Sequence, residues 1–137
     1  MSTRGRKADP RELEDALTEA PPMPDSMPDS MRDEWDAVTT ELVKRQILSK
    51  AMLGAVETYI LARWMQGEAK KAIAEHGALI ATKEGFLKQN PACTVLGRAQ
   101  QQITRLSAEL GLTPASRARA GMGPEEDGDE QFGLFTF

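Results

Sequence analysis

The chain has 137 residues, 40% hydrophobic and 28% charged, which is material for one ordinary domain. Its formal charge of -4 excludes a uniformly basic DNA-coating protein, although not a local basic patch. One cysteine excludes an intramolecular disulfide framework and a multi-cysteine zinc site, and one histidine leaves little for a His-based metal centre or triad.

The charge is unevenly placed. Residues 1–7 carry three basic groups and no acid, and residues 8–36 carry ten acids against Arg11 and Arg32. Residues 37–119 hold twelve basic groups against six acids, and residues 120–137 hold five acids and nothing basic. A cationic body between acidic flanks suits a surface that meets a polyanion, or equally a solvated body with solubilising tails.

In chain order, Met1–Lys7 leads into acidic sequence with no apolar stretch behind it, so it does not read as a signal peptide. The most apolar window, 51–65, is interrupted by Glu57 and Arg63 and is too short to span a bilayer, so a soluble intracellular protein is expected. Residues 20–30 contain Ala20-Pro21-Pro22-Met23-Pro24 and the near-repeat Pro24-Asp25-Ser26-Met27, Pro28-Asp29-Ser30-Met31. They read as an extended linker, and residues 1–30 as a flexible N-terminal segment. Ser30 is the expected N-cap of an amphipathic helix over 31–47 carrying Trp35, Val38, Leu42 and Val43 or Ile47. Ser49 then opens the longest helix, to about His76, with Gly77 as terminator. Its apolar residues cover too much of the circumference for one stripe, which predicts a second buried face against another subunit. Met52, Val56, Tyr59, Ile60 and Trp64 are the expected oligomer contacts, with helical spacings that equally suit core packing.

Ala78–Thr82 and Phe86–Gln89 around Lys83-Glu84-Gly85 predict a small β-hairpin. Pro91 starts the next helix, whose Leu96, Ala99, Ile103, Leu106 and Leu110 form a helix-packing seam closed by Gly111. Thr113-Pro114 caps a last short helical turn. Residues 31–119 are thus the expected helical core, and 120–137 an acidic, disordered tail ending in Phe132, Leu134, Phe135 and Phe137. The predicted fold class is mainly α: long central helices, a small β-hairpin and a C-terminal packing helix, with flexible tails.

Catalytic chemistry is missing. There is no phosphate-binding glycine loop, Cys93 has no base near it in sequence, and His76 reads as a dipole partner at a helix end. The paired carboxylates lie on polar segments with nothing to raise a pKa. No enzyme, cofactor or metal is expected. The sequence offers binding surfaces instead.

Taken in order, Arg4-Gly5-Arg6-Lys7, the Pro-rich stretch, Asp33-Glu34-Trp35, Tyr59 and Trp64 before the Gly77 turn, Gly85-Phe86-Leu87-Lys88-Gln89-Asn90-Pro91, and Leu110-Gly111-Leu112-Thr113-Pro114-Ala115-Ser116-Arg117-Ala118-Arg119 resemble the small terminase subunit of tailed bacteriophages. The resemblance covers about Arg4 to Arg119. It implies a non-enzymatic, ring-forming protein of the infected bacterial cytoplasm. Such a protein recognises double-stranded viral DNA, hands it to the large terminase subunit and modulates that subunit's ATPase and nuclease.

Within that frame Arg4, Arg6 and Lys7 form a basic arm able to contact phosphates, or a solubilising N-terminus. Lys70, Lys71, Lys83 and Lys88 are a cationic rim or a solvated charged face. Arg117 and Arg119 face DNA or pair locally, and Arg98 and Arg105 share one helix face. Phe132, Leu134, Phe135 and Phe137 suit a peptide that docks in a groove of the large subunit or a neighbouring subunit, or an edge tucked onto its own body. The rival reading is a small helix-turn-helix regulator using residues 31–60, and a third is a helical adaptor that never touches nucleic acid. Against the regulator, the second helix is too long and too apolar to be a recognition helix.

Overall fold

A computed structural model describes residues 14–119, with backbone only for 117–119. Four helices and one hairpin follow in order: α1 (Arg32–Lys44), α2 (Leu53–His76), β1 (Leu79–Ala81), β2 (Leu87–Gln89), α3 (Pro91–Glu109) and α4 (Pro114–Arg119). Short 3-10 turns over Asp29–Met31 and Lys50–Met52 lead into α1 and α2.

α1 buries Trp35, Thr39 and Leu42, spaced four and three apart, on one face. Ser30 does not cap it. The Met31 amide already donates to the Pro28 carbonyl at 3.0 Å, so winding begins one turn early and Met31 takes the cap position without a side-chain bond. The helix also stops at Lys44, short of the expected 47. Gln46 adopts φ 58, Ile47 N–H donates to the Leu42 carbonyl and Gln46 N–H to that of Val43. That pair of bonds is a Schellman stop, here with glutamine in the left-handed place that usually holds glycine. α3 ends in the same way with its expected glycine: Gly111 has φ 71, and Leu112 N–H reaches the Ser107 carbonyl at 2.8 Å.

The proline-rich stretch is where sequence and structure differ most. Met23, Met27 and Met31 are buried in the same cluster as Trp35, Leu42, Leu48, Val56, Ile60 and Leu110. Each Pro-Asp-Ser-Met repeat closes a turn, with Met27 N–H donating to the Pro24 carbonyl and Met31 N–H to that of Pro28, both at 3.0 Å. The repeat therefore delivers one methionine per turn into the core, where its flexible thioether fills the space beside the tryptophan. Trp35 Nε1 donates to the Pro21 carbonyl at 2.9 Å, and Leu17 N–H to that of Leu48 at 2.7 Å, fixing the segment to the body. Residues 20–30 are packed structure, not a linker.

α2 and α3 make the most extensive helix pairing. The two run antiparallel: Arg45, eight residues before α2, donates to the Gly111 carbonyl just past α3, while Gly77 and Asn90 meet at the opposite end. Buried Ala62 and Ala69 on α2, and Ala99 and Leu106 on α3, lie outside the methionine–tryptophan cluster, and small side chains of this kind let paired helices approach closely. α1 shares the main cluster with α2 and adds the Glu34–Arg63 ion pair. Among the described residues no helix is long and apolar enough to cross a membrane.

If residues 20–30 are core, Met27→Ala should lower unfolding stability in urea by about 2–5 kcal/mol, the usual cost of truncating a buried methionine. A linker residue would show almost no change.

Candidate nucleic-acid interface

The hairpin between α2 and α3 follows from its loop chemistry. Leu79 pairs with Gln89, Ile80 with Lys88 and Ala81 with Leu87 in antiparallel register. Thr82 N–H donates to the Phe86 carbonyl at 2.7 Å, and Gly85 N–H to the Thr82 carbonyl at 3.0 Å. Gly85 has φ 85, which completes a three-residue hairpin loop whose last position is left-handed. The Thr82 hydroxyl also accepts from Phe86 N–H at 3.2 Å.

Two strands of three residues are marginal alone, so the base of the hairpin matters. Gly77, at φ 88, turns the chain out of α2. Asn90 is buried there and serves three neighbours. Its Nδ2 donates to the Gly77 carbonyl at 2.8 Å, its Oδ1 accepts from Ala92 N–H at 3.0 Å as N-cap of α3, and its own N–H donates to the Ala78 carbonyl at 2.8 Å. On sequence alone the helix starts at Pro91 and Asn90 is assigned no cap. An asparagine directly before a helix-starting proline was the available signal for its capping role.

What the hairpin presents is both cationic and apolar. Lys83 and Lys88 are exposed, as are Leu79 (60%), Phe86 (69%) and Leu87 (68%). By strand alternation Leu79, Ala81 and Leu87 share one face, while Ile80 and Lys88 share the other. Lys70 and Lys71 are exposed on the later turns of α2, and Lys71 makes a 3.3 Å surface pair with Glu68 that leaves its side chain 77% exposed. An exposed pair of this sort holds a lysine only weakly. The structure thus gathers Lys83 and Lys88 on one small element, with Lys70 and Lys71 on the helix leading to it. Arg98 and Arg105 are exposed on α3, the latter 3.8 Å from Glu109.

The expected oligomer contacts separate. Val56 and Ile60 are fully buried inside the protomer, so they have no surface to offer a second subunit. Met52, Tyr59 and Trp64 are half-buried against the same cluster. The apolar surface of α2 is largely covered within the protomer by α3, α1 and the methionine segment, and what remains outside is Leu61 and Met65, four apart on one face. A shallow groove runs beside Trp64, between Ser30, Met31 and Glu34 on one side and Gln66, Gly67 and Lys71 on the other.

The remaining expected sites can be placed briefly. Cys93 is half-buried, its Sγ 3.8 Å from the Ala78 carbonyl, and His76 is exposed beside Glu75. Arg117 and Arg119 lie on α4, which Thr113 caps through Ser116 N–H at 3.2 Å, but their side chains fall outside the described structure. Arg4, Arg6 and Lys7, and the terminal Phe132, Leu134, Phe135 and Phe137, also lie outside the described residues.

Asn90→Ala should remove the cap and strand the Gly77 carbonyl, costing about 0.5–2 kcal/mol for the cap. Hydrogen exchange should accelerate at Thr82 and Gly85 well before it does in the middle of α2. Equal acceleration throughout the chain would contradict a local role.

A family model described as phage terminase, small subunit, matches residues 32–127, a span that begins at the first residue of α1 and continues past α4. No curated relative and no solved structure matches the chain. With well over half of its length matched, the chain belongs to the family of phage terminase small subunits, whose general role lies in packaging viral DNA.

Proposed function

We propose that this protein recognises phage genomic DNA at the start of packaging, assembles into a closed ring and delivers the DNA to the large terminase subunit. It regulates that subunit's ATPase and nuclease and catalyses nothing itself, working in the host bacterial cytoplasm without a cofactor. The family match over residues 32–127 carries this reading.

Local features support it. Lys83 and Lys88 on the projecting hairpin, with Lys70 and Lys71 behind them, are exposed cations of the kind that contact phosphates without reading sequence. Arg4, Arg6 and Lys7 would add a basic arm, and Arg117 and Arg119 a contact at the other end of the core. The exposed Leu61 and Met65, with half-buried Trp64 near them, are α2 residues available to a ring contact, and half-buried Met52 and Tyr59 would have to contribute elsewhere. A closed ring needs two different complementary patches per subunit. The core of the chain reaches back from residue 31 to include the packed segment from Leu17 onward. The terminal Phe132, Leu134, Phe135 and Phe137 form a docking peptide for a protein partner.

DNA affinity measured across a salt series tests this reading. Each phosphate contact steepens the fall of log affinity with log salt by about 0.9. Replacing Lys70, Lys71, Lys83 and Lys88 with glutamine should weaken binding and flatten that slope by about 1 for each lysine that contacts a phosphate. A flat salt response in the unaltered protein would contradict DNA binding.

A further inference from the structure

The hairpin exposes more apolar surface than its size warrants, and it does so beside unpaired cations. Leu79, Phe86 and Leu87 are each at least 60% exposed on this two-stranded element, with Lys83 in its loop and Lys88 exposed on the face opposite Leu79 and Leu87. The chain carries a segment of the reverse character. Residues 120–137 hold Glu125, Glu126, Asp127, Asp129 and Glu130 with no basic residue, followed at once by Phe132, Leu134, Phe135 and Phe137. Acids then aromatics on one segment answer lysines and apolar side chains on the other.

The distances allow the two to meet. The 19 residues of α3 separate the C-terminal end of the core from the hairpin, a rise of about 28 Å at 1.5 Å per residue. Residues 120–129, when extended, reach about 33 Å at 3.3 Å per residue, enough to bring Asp129 and Glu130 across that rise. The segment is therefore long enough for the hairpin of its own chain. We propose that residues 125–137 dock on the β1–β2 hairpin, the terminal apolar side chains against Phe86 and the Leu79–Leu87 face, the carboxylates against Lys83 in the loop and, around the strand edge, Lys88.

This goes beyond DNA recognition by the same lysines and has a consequence for it. Carboxylates seated on the hairpin occupy the cations that the proposed function assigns to phosphates, so tail and DNA compete for one surface.

Zero-length carbodiimide crosslinking of the full-length protein, read by peptide mass spectrometry, tests the docking without reference to DNA. The expected products join Lys83 or Lys88 to an acid within 125–130. They should fall at least fivefold when Phe132, Leu134, Phe135 and Phe137 are all changed to serine. The paired variant Phe86→Ser, Leu87→Ser, on side chains already exposed, should lower them similarly. Mixing isotopically labelled and unlabelled protein assigns the contact: hybrid products place the tail on a neighbouring copy, single-isotope products on its own hairpin, and either supports docking. Absence of these products in the isolated protein, or their appearance only between tail and added large subunit, overturns it. Crosslinks that persist undiminished under saturating DNA would support the docking while removing these lysines from the DNA site.

Discussion

One buried amide holds the hairpin end of the molecule together. Asn90 spends its two side-chain functions and its backbone N–H on three separate neighbours: the end of α2 at Gly77, the first turn of α3 at Ala92, and the base of β1 at Ala78. A buried polar side chain is tolerated only when its bonding capacity is met, and here that requirement sets the geometry. The two helices cannot part at this end without stranding the amide, and the hairpin between them has a fixed root. Everything proposed for Lys83, Lys88, Phe86 and Leu87 depends on that root, because a hairpin of three-residue strands does not stand alone.

At the other end the structure relies on burial rather than on a single polar contact. Trp35 sits among Met23, Met27, Met31 and the fully buried Leu42, Leu48, Val56 and Ile60. Short domains have little core to spare, and the proline-rich segment supplies part of it by closing two successive Pro-Asp-Ser-Met turns. This also explains a helix that looks too apolar for one protomer. Much of the circumference of α2 is satisfied by the methionine segment, α1 and α3, leaving Leu61 and Met65 as the exposed remainder. The molecule is thus sealed on one side and open, cationic and apolar at the hairpin.

Much of the fold was legible because local chemistry coincided with the tertiary answer. Gly77, Gly85 and Gly111 stand where the chain needs a positive φ, and Thr113-Pro114 and Pro91 mark helix starts. The Ala99–Leu106–Leu110 seam buries as its spacing demands. Where the reading failed, tertiary packing had overridden a local rule. Gln46 ends α1 in a conformation that composition assigns to glycine, held by Ile47 returning to the core beside Leu42. The Pro-Asp-Ser-Met repeat has linker composition, and only the apolar partner of each methionine shows it to be core. Val56 and Ile60 were expected at a subunit contact because periodicity reports that a face is buried but not what buries it. Charge placed Lys83 and Lys88 at the site, whereas the exposure of Phe86 and Leu87 became visible only once the hairpin had no layer beneath it.

In the function proposed, the protein works as an assembly, with α2 supplying the contact between subunits and the hairpin ends carrying the charge. The native mass of the purified full-length protein, measured by light scattering or native mass spectrometry across a wide range of concentration and salt, tests that most directly. The predicted result is one closed assembly of many identical subunits whose mass does not change on dilution. A monomer or simple dimer under every condition would contradict the ring and leave Leu61 and Met65 without a partner.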